Sequence, residues 1–219
     1  SRGLGLQLAH ALGEAGARLM LTSRKQADLD EAVAELKAAG LNAIALAADC
    51  AKEDDIHRLG AEAVKQMGHV DILVNNAGAI PSGDLWDVDD AAWRKGFDLK
   101  VFGYINMSRL FYTKMKEAGG GVIINIIGNG GEVLDRDYIA GAMGNISLMG
   151  FTRALGGYAL DDNMRVVGIN PGPVNTDRIY NMLRKWAEKD LGDPERYMEL
   201  ADGYPLKRPA HCAEISDLV

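Results

Sequence analysis

The sequence predicts one α/β domain built on a doubly wound parallel sheet, with helices on both faces of that sheet. Three observations predict this fold class. The 219 residues suit one domain with a sizeable core. Short apolar runs rich in β-forming residues alternate with stretches whose apolar residues recur at helical spacing. Glycine-containing turns lie beside several of these elements, as expected where parallel strands end at a ligand-binding edge.

The strands and helices follow each other regularly for most of the chain. Predicted strands lie at 18–22, 43–47, 71–74, 122–127 and 165–169, and predicted helices at 3–15, 26–39, 54–67, 89–117 and 146–160. Such alternation favours parallel pairing, because each strand returns to the same edge through a crossover helix. The first helix has no strand before it, and the chain stops in a helix that begins near Ala210. We therefore expect the natural protein to have residues before Ser1 and after Val219.

The segment 178–204 interrupts this alternation. It is helical in pattern and carries Met182, Trp186 and Met198. It follows the last predicted strand, and ligands in such sheets bind beyond the carboxyl ends of the strands. The segment is therefore predicted to be a substrate lid inserted in the single domain 1–219. The alternative is a packing helix or an oligomer contact.

Composition excludes several classes of protein. The 31 acidic and 24 basic residues give a net charge of −7, so nucleic acid is not expected as a partner. The longest apolar runs are strand-sized, so no membrane span is expected. Two cysteines form no disulfide framework, and a reduced, cytoplasmic protein is expected. The four histidines share no metal-like spacing with cysteines or carboxylates, so no metal site is expected.

Three turns are candidates for a nucleotide site. The chain begins Ser1-Arg2-Gly3-Leu4-Gly5 and runs directly into a helix. Glycines let the backbone approach a pyrophosphate, and a helix N-terminus supplies free N–H groups and partial positive charge. Asn75-Asn76-Ala77-Gly78 follows the strand 71–74, and a Pro-Gly turn at 171–176 follows the strand 165–169. Together they predict one contiguous binding edge.

With these motifs the whole chain resembles the short-chain dehydrogenase/reductase family. Its first turn is similar to the end of that family's Thr-Gly-x-x-x-Gly-x-Gly motif, and the two later turns are similar to its Asn-Asn-Ala-Gly and Pro-Gly-x-x-x-Thr motifs. The resemblance implies a Rossmann-like fold, a nicotinamide cofactor and a homodimer or homotetramer. It also implies cofactor contacts at Ser1, Arg2, Gly3, Gly5, Asp49, Cys50, Asn76, Ala77, Gly78, Pro171, Gly172 and Thr176.

The charge of the residues that follow the predicted strand 18–22 indicates which cofactor is preferred. A carboxylate there would bind ribose hydroxyls and repel a 2′-phosphate. This chain has Ser23-Arg24-Lys25 instead, and Arg2 is available from the first turn. Two arginines can hold a phosphate through charge-assisted hydrogen bonds. NADP(H) is therefore predicted to be preferred, with NAD(H) also accepted. The alternative is that these cations are simply solvated.

The catalytic residues of the family are not found at their usual spacing. By that spacing the serine falls on Gly128, the tyrosine on Gly141, the lysine on Asn145 and the asparagine on Asp98. All four differ from the family pattern. A divergent branch that includes enoyl-thioester reductases places its tyrosine seven residues before its lysine, and Tyr138 lies seven residues before Asn145. This second register assigns Tyr138 as the acid.

The predicted catalytic set is therefore Tyr138, Asn145, Asn129 and Asp98. Asn145 can hydrogen-bond a ribose hydroxyl but has no charge to lower the pKa of a phenol, which is about 10 in water. Asn129 could polarise a carbonyl, and Asp98 could act as a base if it is partly buried. Each has an alternative: Asn129 as a turn residue, Asp98 as an acceptor of backbone N–H groups, and Tyr138 as a packing aromatic.

These residues predict an NAD(P)-dependent oxidoreductase. It would transfer hydride between nicotinamide and a carbonyl or activated alkene of a moderately apolar small molecule, and the missing lysine favours the reducing direction. The alternative is a non-catalytic nicotinamide-binding or scaffold subunit of an oligomer.

Overall fold

A computed structural model describes residues 2–78 and 80–219. Strands and helices alternate through most of this part of the chain, as the sequence predicts. The strands are β1 (Leu19–Ser23), β2 (Ala43–Ala47), β3 (Ile72–Asn75), β4 (Gly121–Ile126) and β5 (Met164–Ile169). The helices are α1 (Gly3–Glu14), α2 (Gln26–Ala38), α3 (Glu53–Met67), α4 (Asp90–Phe97), α5 (Gly103–Glu117), α6 (Ile139–Ala159), α7 (Asp177–Leu191) and α8 (Cys212–Ser216).

All strand pairs are parallel, which confirms the predicted pairing. β1 pairs with β2, and β4 lies between β3 and β5. The single sheet that we expected forms two hydrogen-bonded groups within the described residues, because β1 and β3 do not pair. A cavity of 530 Å³ is lined by residues of both strands, among them Leu21 and Leu73, and by Phe111 of α5.

Helices cover both faces of the strands, as predicted. Successive side chains of β4 point to opposite faces. Ile123 packs into the cluster formed with α3 and α5, whereas Ile124 and Ile126 pack against Leu8 of α1. A separate cluster joins α1 and α2 to β1 and β2. The carboxyl ends of β3, β4 and β5 are thereby held at one edge.

Two helices differ from the predicted bounds. Helix α6 begins at Ile139, seven residues before the predicted start. Its first turns contain Gly141 and Gly144, which weaken the helical pattern because glycine disfavours helix interiors. The predicted helix 89–117 is interrupted by a π-helical turn at Asp98–Phe102. Such turns frequently occur at functional sites.

A buried polar ladder ties the sheet to the helices behind it. The Asn75 side-chain amide donates to Ser108 Oγ at 3.2 Å and to Asn125 Oδ1 at 2.9 Å. The Asn125 amide in turn donates to Thr152 Oγ1 at 2.9 Å. Buried polar groups that satisfy one another specify a unique arrangement of their elements. The ladder fixes the end of β3, where the Asn-Asn-Ala-Gly turn begins.

The segment 178–204 forms most of α7 and a 3-10 helix at Pro194–Gly203. The two helices are joined by an edge-on contact between the Tyr180 and Tyr197 rings and by the Arg184 guanidinium, which lies 4.5 Å from the centre of the Tyr197 ring. Lys189 Nζ lies 3.3 Å from a carboxylate oxygen of Asp137, in the loop before α6. No helix among the described residues combines the length and the apolarity needed to cross a bilayer.

Candidate active site

The three glycine-containing turns meet at one edge, as predicted. Gly3 has a positive φ of 55°, and a Cβ there would lie 3.3 Å from Thr176 Cγ2. Gly5 faces Asn76, whose Nδ2 would be 2.9 Å from a Cβ at position 5. The first turn is thus packed against both later turns. These close approaches leave room for hydrogen only, which explains glycine at both positions.

The N-terminus of α1 has the properties of an anion site. Arg2 is the N-cap residue, and its side chain makes no capping hydrogen bond. The first N–H groups of a helix have no partner within the helix and bind phosphate well. An uncapped helix start beside two close-packed turns fits the pyrophosphate of a dinucleotide. Ser1, which we also predicted to contact the cofactor, lies outside the described residues.

Two of the predicted cofactor contacts, Asp49 and Cys50, follow the end of β2. The Asp49 carboxylate accepts a hydrogen bond from Ala51 N at 3.1 Å, which orders the turn. Cys50 is half-buried, and burial raises the pKa of its thiol to about 11. The thiol is therefore neutral at physiological pH. Arg24 follows β1 directly and is exposed, as is Arg2, so both guanidinium groups are accessible to a ligand.

Tyr138 occupies the space that a side chain at position 141 would fill. Tyr138 is the N-cap residue of α6, and a Cβ added to Gly141 would overlap the Tyr138 ring. The same ring lies 3.2 Å from a Cβ position at Gly130. The ring of Tyr138, the tyrosine predicted by the seven-residue spacing, therefore lies at the Cβ position of residue 141, where the commoner spacing would place the tyrosine.

Asn145 lies beside Tyr138 with an unused acceptor. It is 2% exposed, and its Oδ1 has no hydrogen-bond partner among residues 2–78 and 80–219. Its Nδ2 would lie 3.1 Å from a Cβ at Gly128 and 3.4 Å from one at Gly130. A buried amide oxygen without a donor is costly. A ribose hydroxyl is a donor that would satisfy it, so this residue also fits a dinucleotide.

Asn129 connects the site to the Pro-Gly turn. Its backbone N–H donates to the Pro171 carbonyl at 2.8 Å. Its side-chain Nδ2 would lie 3.6 Å from a Cβ at Gly172. The turn role that we considered as an alternative is therefore present, and it places the amide beside the Pro-Gly turn 171–176, which is predicted to contact the cofactor.

Asp98 is not buried, as a role as a catalytic base would require. A role as a base required partial burial, and Asp98 is exposed. It begins the π-helical turn and lies near Arg94, on the solvent side. An exposed carboxylate is solvated, so the partial burial that a role as a base requires is absent at Asp98, and the proposal below does not use it.

Sequence reasoning missed Lys100, two residues further along this turn. Its side chain is 9% exposed, and its Nζ donates to the Ile127 carbonyl at 2.5 Å. Burial, and to a smaller extent the nearby charge of Arg178, lower its pKa to about 8. The signal was present in the sequence, because Lys100 is spaced from Gly96, Tyr104 and Met107 as a buried helix position would be.

The inserted segment contacts the site through Arg178. This guanidinium donates to the carbonyl of Gly78 at 3.1 Å and to that of Ile80 at 3.1 Å. The start of α7 is thereby attached to the turn after β3. The Lys100 side chain also packs against Gly78, so two cations contact this turn.

Comparisons with known proteins agree with this geometry. The profile of a family described as short chain dehydrogenase matches residues 1–187. The protein named Dehydrogenase/reductase SDR family member 4 of Caenorhabditis elegans is 34% identical over 220 residues, covering 97% of this chain and 82% of that protein. Its human counterpart is 31% identical over 214 residues, covering 97% and 75%.

Solved structures extend the similarity to the fold. L-sorbose reductase from Gluconobacter frateurii, complexed with NADPH and L-sorbose, superposes with a TM-score of 0.90 at 27% identity, over 99% of this chain and 83% of that one. A variant of actinorhodin polyketide ketoreductase with NADPH superposes with a TM-score of 0.94 at 26% identity, over 99% and 84%. The similarity covers every residue of the candidate site.

Proposed function

Because this chain belongs to the short-chain dehydrogenase family, we propose that it is an NADP(H)-linked oxidoreductase with a remodelled active site. It reduces a carbonyl, or an activated alkene, of a moderately apolar small molecule. The observation that carries this proposal is the position of Tyr138, whose ring fills the side-chain space of Gly141. A hydroxyl donor is thus retained although the residue at position 141 has no side chain.

Each side chain of the cluster has a distinct task. The nicotinamide, when bound, supplies the hydride. Tyr138 donates the proton that the reduced oxygen needs. Asn129 donates a hydrogen bond from its amide to the substrate oxygen. Asn145 accepts a hydrogen bond from a ribose hydroxyl through its unpartnered Oδ1, which holds the cofactor in register.

The inserted segment supports an enclosed small-molecule site. Arg178 attaches its start to Gly78, and Lys189 attaches its later turns to Asp137. Met182 and Trp186 are half-buried on α7. Two structural neighbours carry a sugar reductase or a ketoreductase activity in their names and hold NADPH. We propose that 178–204 is a substrate lid, with reduction as the favoured direction.

The function is tested by NADPH consumption against a panel of ketones, quinones and enoyl thioesters. We expect turnover with at least one class, at a rate that depends on enzyme concentration. NADPH binding is measured in parallel by calorimetry. Binding without turnover across the panel would contradict the proposal and favour the non-catalytic alternative.

The preference for NADP(H) is tested at Arg24. Replacing Arg24 with Asp is expected to weaken NADPH binding at least tenfold relative to NADH, since a carboxylate repels the 2′-phosphate that the guanidinium attracts. Calorimetry with both cofactors measures the ratio. Lys37→Asp makes the same change of charge at an exposed position near the end of α2 and should leave the ratio unchanged. An unchanged ratio in the Arg24 variant would rule out the assignment.

A homodimer or homotetramer is part of the proposal. Phe102, Met143 and Ile146 are exposed apolar side chains on the π-helical turn and on α6. Neighbouring exposed apolar residues of this kind mark interaction surfaces. A cytoplasmic location remains a prediction from the sequence.

A further inference from the structure

Lys100 is a buried cation that the proposed mechanism does not use. It belongs to the π-helical turn Asp98–Phe102, which interrupts the helical run between α4 and α5. The turn directs this lysine inward and leaves Asp98 exposed. Burying an ammonium group is costly unless it is paired.

The Lys100 ammonium lies at the end of β4 next to the catalytic cluster. Its Nζ donates to the carbonyl of Ile127, and the next residue, Gly128, faces the Asn145 side chain. Asn145 and Tyr138 both border Gly130. An ammonium has three donors, and one hydrogen bond is made to the described residues. Two N–H donors of Lys100 are therefore available to another acceptor.

We propose that Lys100 supplies the reaction centre with the positive charge that Asn145 lacks. The inference rests on the proposed function, and it assigns the charge to a different helix from the one that carries Tyr138. Lys100 acts as a positioning residue. Its positive charge, held at the end of β4 by the hydrogen bond to Ile127, changes the electrostatic potential at Tyr138 and Asn145. A positive charge then remains near the proposed proton donor, although residue 145 is a neutral asparagine.

The groups around Lys100 set the pH at which this charge is lost. Arg178 of α7 faces it and favours the neutral amine. Tyr104 of α5 bonds the Ile126 carbonyl and is neutral, since burial raises its pKa. On the α6 side, the Asn145 amide lies against Gly128, the residue after Ile127. With the pKa of Lys100 at about 8, the charge is present at pH 7 and is lost as the pH rises above 8.

The position of the charge is tested on the protein without cofactor. The titration of Lys100 is followed by NMR of ¹³C-labelled lysine, with its signal assigned by its loss in Lys100→Arg. A carboxylate introduced by Asn145→Asp is expected to raise the midpoint by at least about one pH unit, and Asn145→Lys is expected to lower it. Asn170→Asp, at an exposed position, is the control and should leave it unchanged. An unchanged midpoint in both position-145 variants would overturn the proposal.

The role in the reaction is tested by pH profiles of kcat/KM. We expect activity of the natural protein to fall above about pH 8. Lys100→Met should reduce activity about 10- to 100-fold at pH 7 and remove this fall, whereas Lys100→Arg should retain part of the activity and keep it to higher pH. A Lys100→Met profile equal to that of the natural protein would overturn the role. Absence of turnover by the natural protein would instead contradict the proposed function, and the NMR result would still decide where the charge lies.

Discussion

Replacing Tyr138 with Phe is expected to lower NADPH-dependent reduction about 100- to 10,000-fold, because it removes the proton donor and keeps the ring. The ring fills the space beside Gly141 and Gly130, so its packing should be retained. NADPH affinity is expected to stay within about threefold, since binding and proton transfer depend on different residues. Steady-state kinetics and calorimetry on the same preparation measure the two quantities.

Two further variants show whether the position of this hydroxyl matters. Gly141→Ala introduces a Cβ that would overlap the Tyr138 ring, so it should displace the hydroxyl and lower activity although the tyrosine is present. Tyr158→Phe, in the same helix α6 and 57% exposed, makes the same chemical change outside the site and should have no effect. Full activity in Tyr138→Phe would show that Tyr138 is only a packing residue.

Replacing Lys100 with Met is expected to stabilise the protein by about 2 kcal/mol at pH 7. Burial lowers the pKa of Lys100 from 10.5 to about 8, which corresponds to roughly 3 kcal/mol of destabilisation by the charged form. Methionine removes this penalty, but it leaves the Ile127 carbonyl without its donor, which costs about 1 kcal/mol. Chemical denaturation of both proteins over a range of pH measures the difference.

The sign of the pH dependence follows from which state binds more protons. Between pH 8 and 10.5 the unfolded chain holds the Lys100 proton more tightly than the folded protein. The penalty is therefore complete below pH 8 and disappears as the pH approaches 10.5. The Cys50 thiol, whose pKa is raised to about 11, acts in the opposite direction above pH 9, but it is common to both proteins. The advantage of Lys100→Met should thus vanish near pH 10.5.

Stability and activity are expected to change in opposite directions in this variant. If Lys100 served only packing, its replacement would lower both the stability and the activity of the protein. A buried charge kept for chemistry costs stability and contributes to rate, a trade-off that active sites commonly show. A Lys100→Met protein that is less stable at pH 7 and fully active would contradict both expectations.

The sequence by itself determined the fold class and the cofactor edge. Strand–helix alternation is a local pattern of apolar spacing, and it located β2, β4 and β5 to within a residue or so at most ends. Glycine turns are local too, so the meeting of Gly3 with Thr176 and of Gly5 with Asn76 could be anticipated from the rule that parallel strands end at one edge. The sequence was less informative about which residues carry the chemistry. Motif spacing predicts positions along the chain, but it does not predict the directions of the side chains.

Only the tertiary structure brought together the residues of the proposed catalytic cluster. It placed the Tyr138 ring in the space of residue 141, since the N-cap of α6 turns that side chain back over the first helical turn. It excluded Asp98 and introduced Lys100, because one π-helical turn rotates the face of the helix that points inward. Burial, and with it the pKa of Lys100, depends on neighbours distant in sequence, and no local pattern contains that information.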